Sequence, residues 1–291
     1  MRDDQLLCVS RATRPALAAP RLPAETAPDA HPGDGSCHLL LQPYRRLGAA
    51  AGGTAARLPP PAGRSSRPQR GGRTHRTLTE RALNRALLAR QLLLERSWVS
   101  IEEAVERVGG LQTQYAPSGY VALWTRLSAF RRDDLTKALW DRTVVQATLM
   151  RTTIHLVSRR EFWLYAVGIQ RARRAWTLRI AGRDADEAPM VRAAERLREA
   201  LKDGPRSVKE LGGLADGFVG NHGLWVDLVR VPPSGTWERR RADRLALAED
   251  WVGPCDTSED DGLAHLVRAY LGAFGPAPWR DIAAWAGIPV A

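Results

Sequence analysis

The uneven placement of tryptophan is the strongest constraint on how this chain folds. All ten tryptophans lie beyond residue 75, whereas residues 1–75 hold ten of the nineteen prolines. A segment without large apolar anchors buries too little surface to offset the entropy of ordering it. Residues 1–76 are therefore expected to be a disordered tail, or translated sequence upstream of the true start. The eleven arginines against five acidic residues in 1–75 would make the tail a basic arm with non-specific affinity for polyanions. The core must come from residues 77–291.

Beyond residue 76 the helix starts are legible. Thr77-Leu78-Thr79-Glu80 has the S/T-x-x-E form of a capping box, and Leu83, Ala86, Leu87 and Leu94 follow at helical spacing, which predicts a first helix of four to five turns. Ser100 to Glu103 repeats the box, with Gly109-Gly110 as the stop. A third helix is expected over Gly119 to about Phe130 and a fourth from Asp133 or Asp134 to Trp140. Val144 to Met150 and Thr153 to Val157 are rich in β-branched residues and flank the polar Arg151-Thr152, which predicts a hairpin. Helices followed by a hairpin is the order of a winged-helix unit. A second round runs from the helix at Met190 to Leu201, through the capped Ser207 to Glu210, to a strand at Trp225 to Val231 and the turn Pro232-Pro233-Ser234-Gly235. A third, lacking a wing, covers the helices at Leu263 to Phe274 and Trp279 to Trp285. The expected organisation is a first unit over 77–180, a second over 181–255 and an incomplete third over 256–291. The fold class is mainly α with small β-hairpins (α+β).

Composition narrows the partners. The net charge is +11, and of the 43 basic residues only Lys137, Lys202 and Lys209 are lysine. Arginine suits bidentate phosphate contact, although codon bias in a GC-rich coding sequence would give the same excess. Cys8, Cys37 and Cys255 are too scattered for a disulfide framework or a zinc site, so no metal is expected. No apolar run reaches membrane-spanning length, and Asp3 and Asp4 argue against a secretory signal, which makes the cytoplasm, with association to the nucleoid, the expected location. No G-x-S-x-G elbow, Walker loop or G-x-G-x-x-G follows a strand, so hydrolase and nucleotide-cofactor readings lack support.

The chemistry concentrates in Leu111-Gln112-Thr113-Gln114-Tyr115. In an extended chain, side chains two apart share a face, so Gln112 and Gln114 would present their amides together. An amide holds a water or a sugar oxygen at a fixed angle but takes up no proton at neutral pH, so the motif suits positioning. The bland alternative is a polar loop capping the next helix. Arg151, Thr152, Thr153 and His155 follow at the hairpin, with His155 equally readable as a core histidine. Two basic runs, Arg171, Arg173, Arg174, Arg179 and Arg239, Arg240, Arg241, Arg244, are either solvated faces or phosphate contacts.

The segments "LTERALNRALLARQLLLERS", "GLQTQ", "VALWTRL", "ATLMRTTIHLVS", "RVPPSGTWERRRADRLALAEDWVG" and "HLVRAYLGAFGPAPWRDIAAWAGI" together resemble the winged-helix DNA glycosylases of the AlkZ and YcaQ type, over about residues 77–291. The resemblance implies tandem winged-helix units around a basic concave surface that accepts duplex DNA. It also implies excision of alkylated (N7-substituted) or crosslinked purines by a monomer without cofactor. Gln112 and Gln114 correspond to the family's Gln-x-Gln signature and would be catalytic. Arg151, Thr152, Thr153, His155, Arg171, Arg174 and Arg240 would contact DNA. Thr152 stands where the family's "MRGTLH" segment has glycine, and the chain stops before the family's third wing. Both departures keep alive a non-catalytic winged-helix DNA-binding protein with a regulatory role, or an inactive truncated fragment.

Overall fold

A computed structural model describes residues 78–182, 186–212 and 225–289; the tail expected over 1–76 lies outside them. Its organising feature is one antiparallel sheet built from β1 (Leu111–Gln112), β2 (Val144–Thr148), β3 (Ile154–Ser158), β4 (Arg206–Ser207), β5 (Leu228–Arg230) and β6 (Arg244–Leu247), in the order β1-β3-β2-β5-β6-β4. The β2–β3 hairpin forms where the β-branched runs predict it, closing through a 3-10 turn at Met150–Thr152. Gln146 of β2 pairs with Arg230 of β5, and Ala147 with Val229. The hairpins that element order assigns to successive units thus meet in a single sheet.

Register sorts the side chains of this sheet into two sets. One row across it reads Gln112, His155, Ala147, Val229, Ala246 from β1 to β6. Its three inner members join Val145 and Val157 in the core beneath the sheet, sealed by α5 (Phe162–Gly168) and α10 (Glu259–Phe274) through Phe162, Tyr165 and Leu266. These helices cross closely. A Cβ on Gly262 would lie 2.5 Å from the Gly168 nitrogen, so two glycines meet at the contact. The neighbouring row includes Leu111, Leu156 and Leu245. Leu111 and Leu156 pack with α2 (Ile101–Arg107), α3 (Pro117–Trp124) and α4 (Arg132–Trp140), and Leu245 packs with α7 (Glu187–Leu201) and α8 (Val208–Leu211).

Eleven helices and six strands occur among the described residues, a mixed α and antiparallel β fold. The others are α1 (Glu80–Arg90), α6 (Gln170–Ala181), α9 (Ala248–Trp251) and α11 (Trp279–Ala286). Ser100 and Ser207 cap α2 and α8 as the motifs predict. Two expectations need correction. The hydroxyl of Thr79 accepts from Ala82 N, so the first cap sits at Thr79, and α1 has three turns instead of four or five. The helix stops because the Gln91 side chain donates to the Ala273 carbonyl and Leu92 turns left-handed (φ 54°) into the core. The third helix ends at Trp124, well short of Phe130, because the segment after it bridges to Ser97: Ser97 N donates to Arg126 O, and Ser128 N to Ser97 O.

Candidate nucleic-acid interface

Strand β1 is an edge strand, and the amide motif lies on it and just beyond it. Gln112 and Gln114 are exposed while Thr113 between them is buried, the alternation an extended chain requires. Thr113 N donates to Ile154 O at 2.8 Å, which carries the ladder one residue past β1. The side chain of Gln114 then takes over from the backbone: Ile154 N donates to Gln114 Oε1 at 3.0 Å. Because the partner is an N–H, the oxygen must face it. The Gln114 amide plane is therefore fixed, with its NH2 group and one oxygen lone pair left over. The Gln112 side-chain amide has no hydrogen-bond partner among the described residues. Its backbone carbonyl and that of Tyr115 both accept from the Ser118 hydroxyl, which curls the segment into the start of α3.

The hairpin turn flanks this edge. Arg151 and Thr152 both lie in the left-handed region, at φ 51° and 57°. For threonine, with two heavy atoms on Cβ, that conformation is costly, and it explains why glycine suits the position in the resembling segment. Arg151 is exposed, but its Nη1 donates to the Trp285 carbonyl at the C-terminal end of α11, so one arm of its guanidinium serves the fold. The Thr153 hydroxyl donates to the Met150 carbonyl and closes the turn. His155 is only 3% exposed. Burial pulls its pKa down to about 4, so the ring is neutral near pH 7. Its Nδ1 lies 2.9 Å from the Thr153 carbonyl, an acceptor only, so Nδ1 carries the proton and donates.

The second hairpin loop reaches the same edge. Trp237 N donates to the Tyr120 hydroxyl, and the two rings meet edge-on at 5.7 Å, which clamps residues 232–243 onto α3. Arg240 Nη1 then donates to the hydroxyl of exposed Tyr115 at 3.2 Å, beside the Gln114 position. Its neighbours Arg239 and Arg241 both approach Asp243, whereas Arg240 has no carboxylate partner among the described residues. Tyr115 carries no signal that distinguishes it in the sequence, since only the Arg240 contact, 125 residues away, marks it.

The other basic run divides by depth. Arg173 is buried against Asp227 at 2.6 Å, and Arg174 is half-buried over the Trp225 ring. Arg171 is exposed. The structure brings Gln112, Gln114, Arg151, Thr152, Thr153 and His155 together around the start of β3, with Arg240 joined to them through Tyr115. Arg171 and Arg174 sit on α6, and neither shares a hydrogen bond with that group among the described residues. No cluster of three or more His, Cys, Asp or Glu side chains suited to a metal occurs among the described residues, and no helix there is long and apolar enough to cross a membrane.

The family model of the DNA glycosylase AlkZ-like proteins matches residues 105–291. The structure is similar to that of the Streptomyces sahachiroi DNA glycosylase AlkZ, with a TM-score of 0.53 and 18% identity, covering 69% of this chain and 62% of that one. The chain thus spans less than two thirds of that relative's length, and at this identity the likeness speaks to fold alone. A search of curated proteins gave no significant match. The family model takes in more than half of the chain, including the whole sheet and both glutamines, and on that ground the protein belongs to the AlkZ-like DNA glycosylase family.

Proposed function

We propose that the protein binds duplex DNA as a monomer and hydrolyses the N-glycosidic bond of N7-alkylated or crosslinked purines, with Gln112 and Gln114 at the reacting sugar. The observation that carries this reading is the exposed amide pair on an edge strand, one member fixed by the backbone of β3, in a chain of this family. An N7-alkylated purine is already cationic, so it leaves without being protonated. A water oxygen bonds to C1′ as the C1′–N9 bond breaks. The electron pair goes to the base, which departs neutral, and the water's proton is lost to solvent.

Such a reaction needs a water held beneath C1′ and dipoles aimed at an oxocarbenium-like sugar. The Gln112 oxygen has no partner among the described residues and is available for this, while Gln114 offers a fixed NH2 group and a remaining lone pair. Both are neutral, so the site supplies orientation and the lesion supplies the driving force. In this reading the hairpin turns at Arg151–Thr152 and 232–243 are wings of tandem winged-helix units, and exposed Arg240 and Arg171 add phosphate contacts to a basic surface. No metal or nucleotide cofactor enters the reaction.

The test is single-turnover excision of N7-methylguanine and of a bulkier N7 adduct from duplex DNA, by the parent and by Gln112→Ala/Gln114→Ala. The double variant should lose about 100-fold or more in rate while its duplex affinity stays within a few-fold. Excision unchanged in the variant would remove the glutamines from the chemistry. Salt-sensitive binding with no excision by either protein would favour a DNA-binding role without catalysis, to which the strained Thr152 position lends some weight.

A further inference from the structure

Strand β3 treats the two amides unequally. Its Ile154 N–H holds Gln114, while Gln112 has no side-chain partner among the described residues. Yet Gln112 sits directly opposite His155 in the register. Thr113 N donates to Ile154 O, and antiparallel pairs alternate in type, so Gln112 and His155 form the non-hydrogen-bonded pair between two bonded ones. Side chains of such a pair lie on the same face at the closest cross-strand spacing, with Cα atoms about 4.5 Å apart. The imidazole has one nitrogen committed: Nδ1–H donates to the Thr153 carbonyl, which leaves Nε2 as a lone-pair acceptor with no partner among the described residues. The Gln112 NH2, a donor likewise without a partner among the described residues, stands on the same face in the opposing position of the register.

We propose that His155 is a positioning residue for Gln112, accepting a hydrogen bond from its side-chain N–H at Nε2 and so turning the Gln112 oxygen outward toward the water. One strand then orients both glutamines, Gln114 through a backbone N–H and Gln112 through a side chain. Residue chemistry favours histidine in this role. A phenyl ring offers no acceptor, and a lysine or arginine would donate to the amide oxygen and turn it inward. Because burial keeps the ring neutral, the acceptor persists throughout the neutral range. The assignment rests on the glycosylase reading for its consequence but not for the contact itself, and the two are separable by experiment.

The contact is tested on the full chain by the nitrogen-15 shifts of the His155 ring, with and without Gln112→Ala, a substitution at an exposed edge. Removing the donor should move Nε2 downfield toward the value of a free pyridine-type nitrogen; an Nε2 shift that ignores Gln112→Ala overturns the proposal. The consequence is tested by excision of N7-methylguanine. His155→Phe should lower the single-turnover rate by about tenfold with duplex affinity within about twofold, and His155→Gln, which restores an acceptor, should recover most of it. Excision by His155→Phe at the parental rate also overturns it. Should His155→Phe fail to fold, the ring shifts decide alone. A Gln112-dependent shift in a protein that excises nothing would leave the pairing intact and overturn the glycosylase reading instead.

Discussion

The inner and outer ends of one sheet row behave as different materials. Ala147, Val229 and Ala246 are sealed beneath the sheet by α5 and α10, whereas His155 and Gln112 continue the same row to an edge where the last side chain meets solvent. The inner end holds the fold through close apolar contact. The outer end carries hydrogen-bonding groups that the fold only partly uses. The difference teaches that stability and candidate chemistry are separable here, although they share a strand.

The sharpest way to break the inner end is Gly262→Ala. Its Cβ would collide with the Gly168 backbone, which no rotamer change relieves, so a loss of about 3 kcal/mol or more in denaturant unfolding is expected. A variant as stable as the parent would refute the close crossing. Next is Glu161, where burial and then the neighbouring Glu106 carboxylate raise the pKa from 4.5 to about 7. The folded state therefore holds this proton more tightly than the unfolded chain. Its contribution to stability is complete below pH 4.5 and is lost as the pH rises through about 7. Glu161→Gln should match the parent at pH 4 and exceed it by about 2 kcal/mol at pH 8, after allowance for solvent screening. Unfolding curves at several pH values check this, and a pH-independent difference would contradict it.

At the outer end the expected effects on stability are smaller. Thr152→Gly relieves a left-handed backbone and should stabilise by about 1 kcal/mol, read as a shifted denaturant midpoint. A destabilised variant would mean that the threonine side chain is needed. Arg240→Ala should change stability by less than about 0.5 kcal/mol, because the residue is exposed and lacks a carboxylate partner among the described residues. If Arg240 meets a phosphate, the slope of log affinity against log salt should fall by about one. An unchanged slope would make it a solvated side chain that only steadies Tyr115.

Local signals carried much of the fold. Ser100 and Ser207 announce helices because a cap needs only a hydroxyl and a partner three residues on. The β2–β3 hairpin is visible for a similar reason, its β-branched runs being interrupted by two polar residues. Helices α5 and α6 have no such signal, since Phe162 to Ala181 combines an entirely apolar, mostly buried stretch with a dense arginine run. The pairing of β2 with β5 is invisible too, because residues more than 80 apart leave no local mark. At the candidate site the exposure of Gln112 and Gln114 follows from alternation. The Ile154 tether and the Tyr115–Arg240 contact do not.

By itself the sequence determined where a core could form, where most helices begin, and which residues resemble a glycosylase signature. These properties depend on neighbours a few positions away or on residue type alone. Only the tertiary structure decided that two hairpins share one sheet, that Arg173 and His155 are buried while Arg240 and Arg171 stay outside, and that β3 fixes one amide and faces the other. Those outcomes depend on which distant surfaces exclude water together, and burial and hydrogen-bond partnership are properties of that assembly instead of any short stretch of chain.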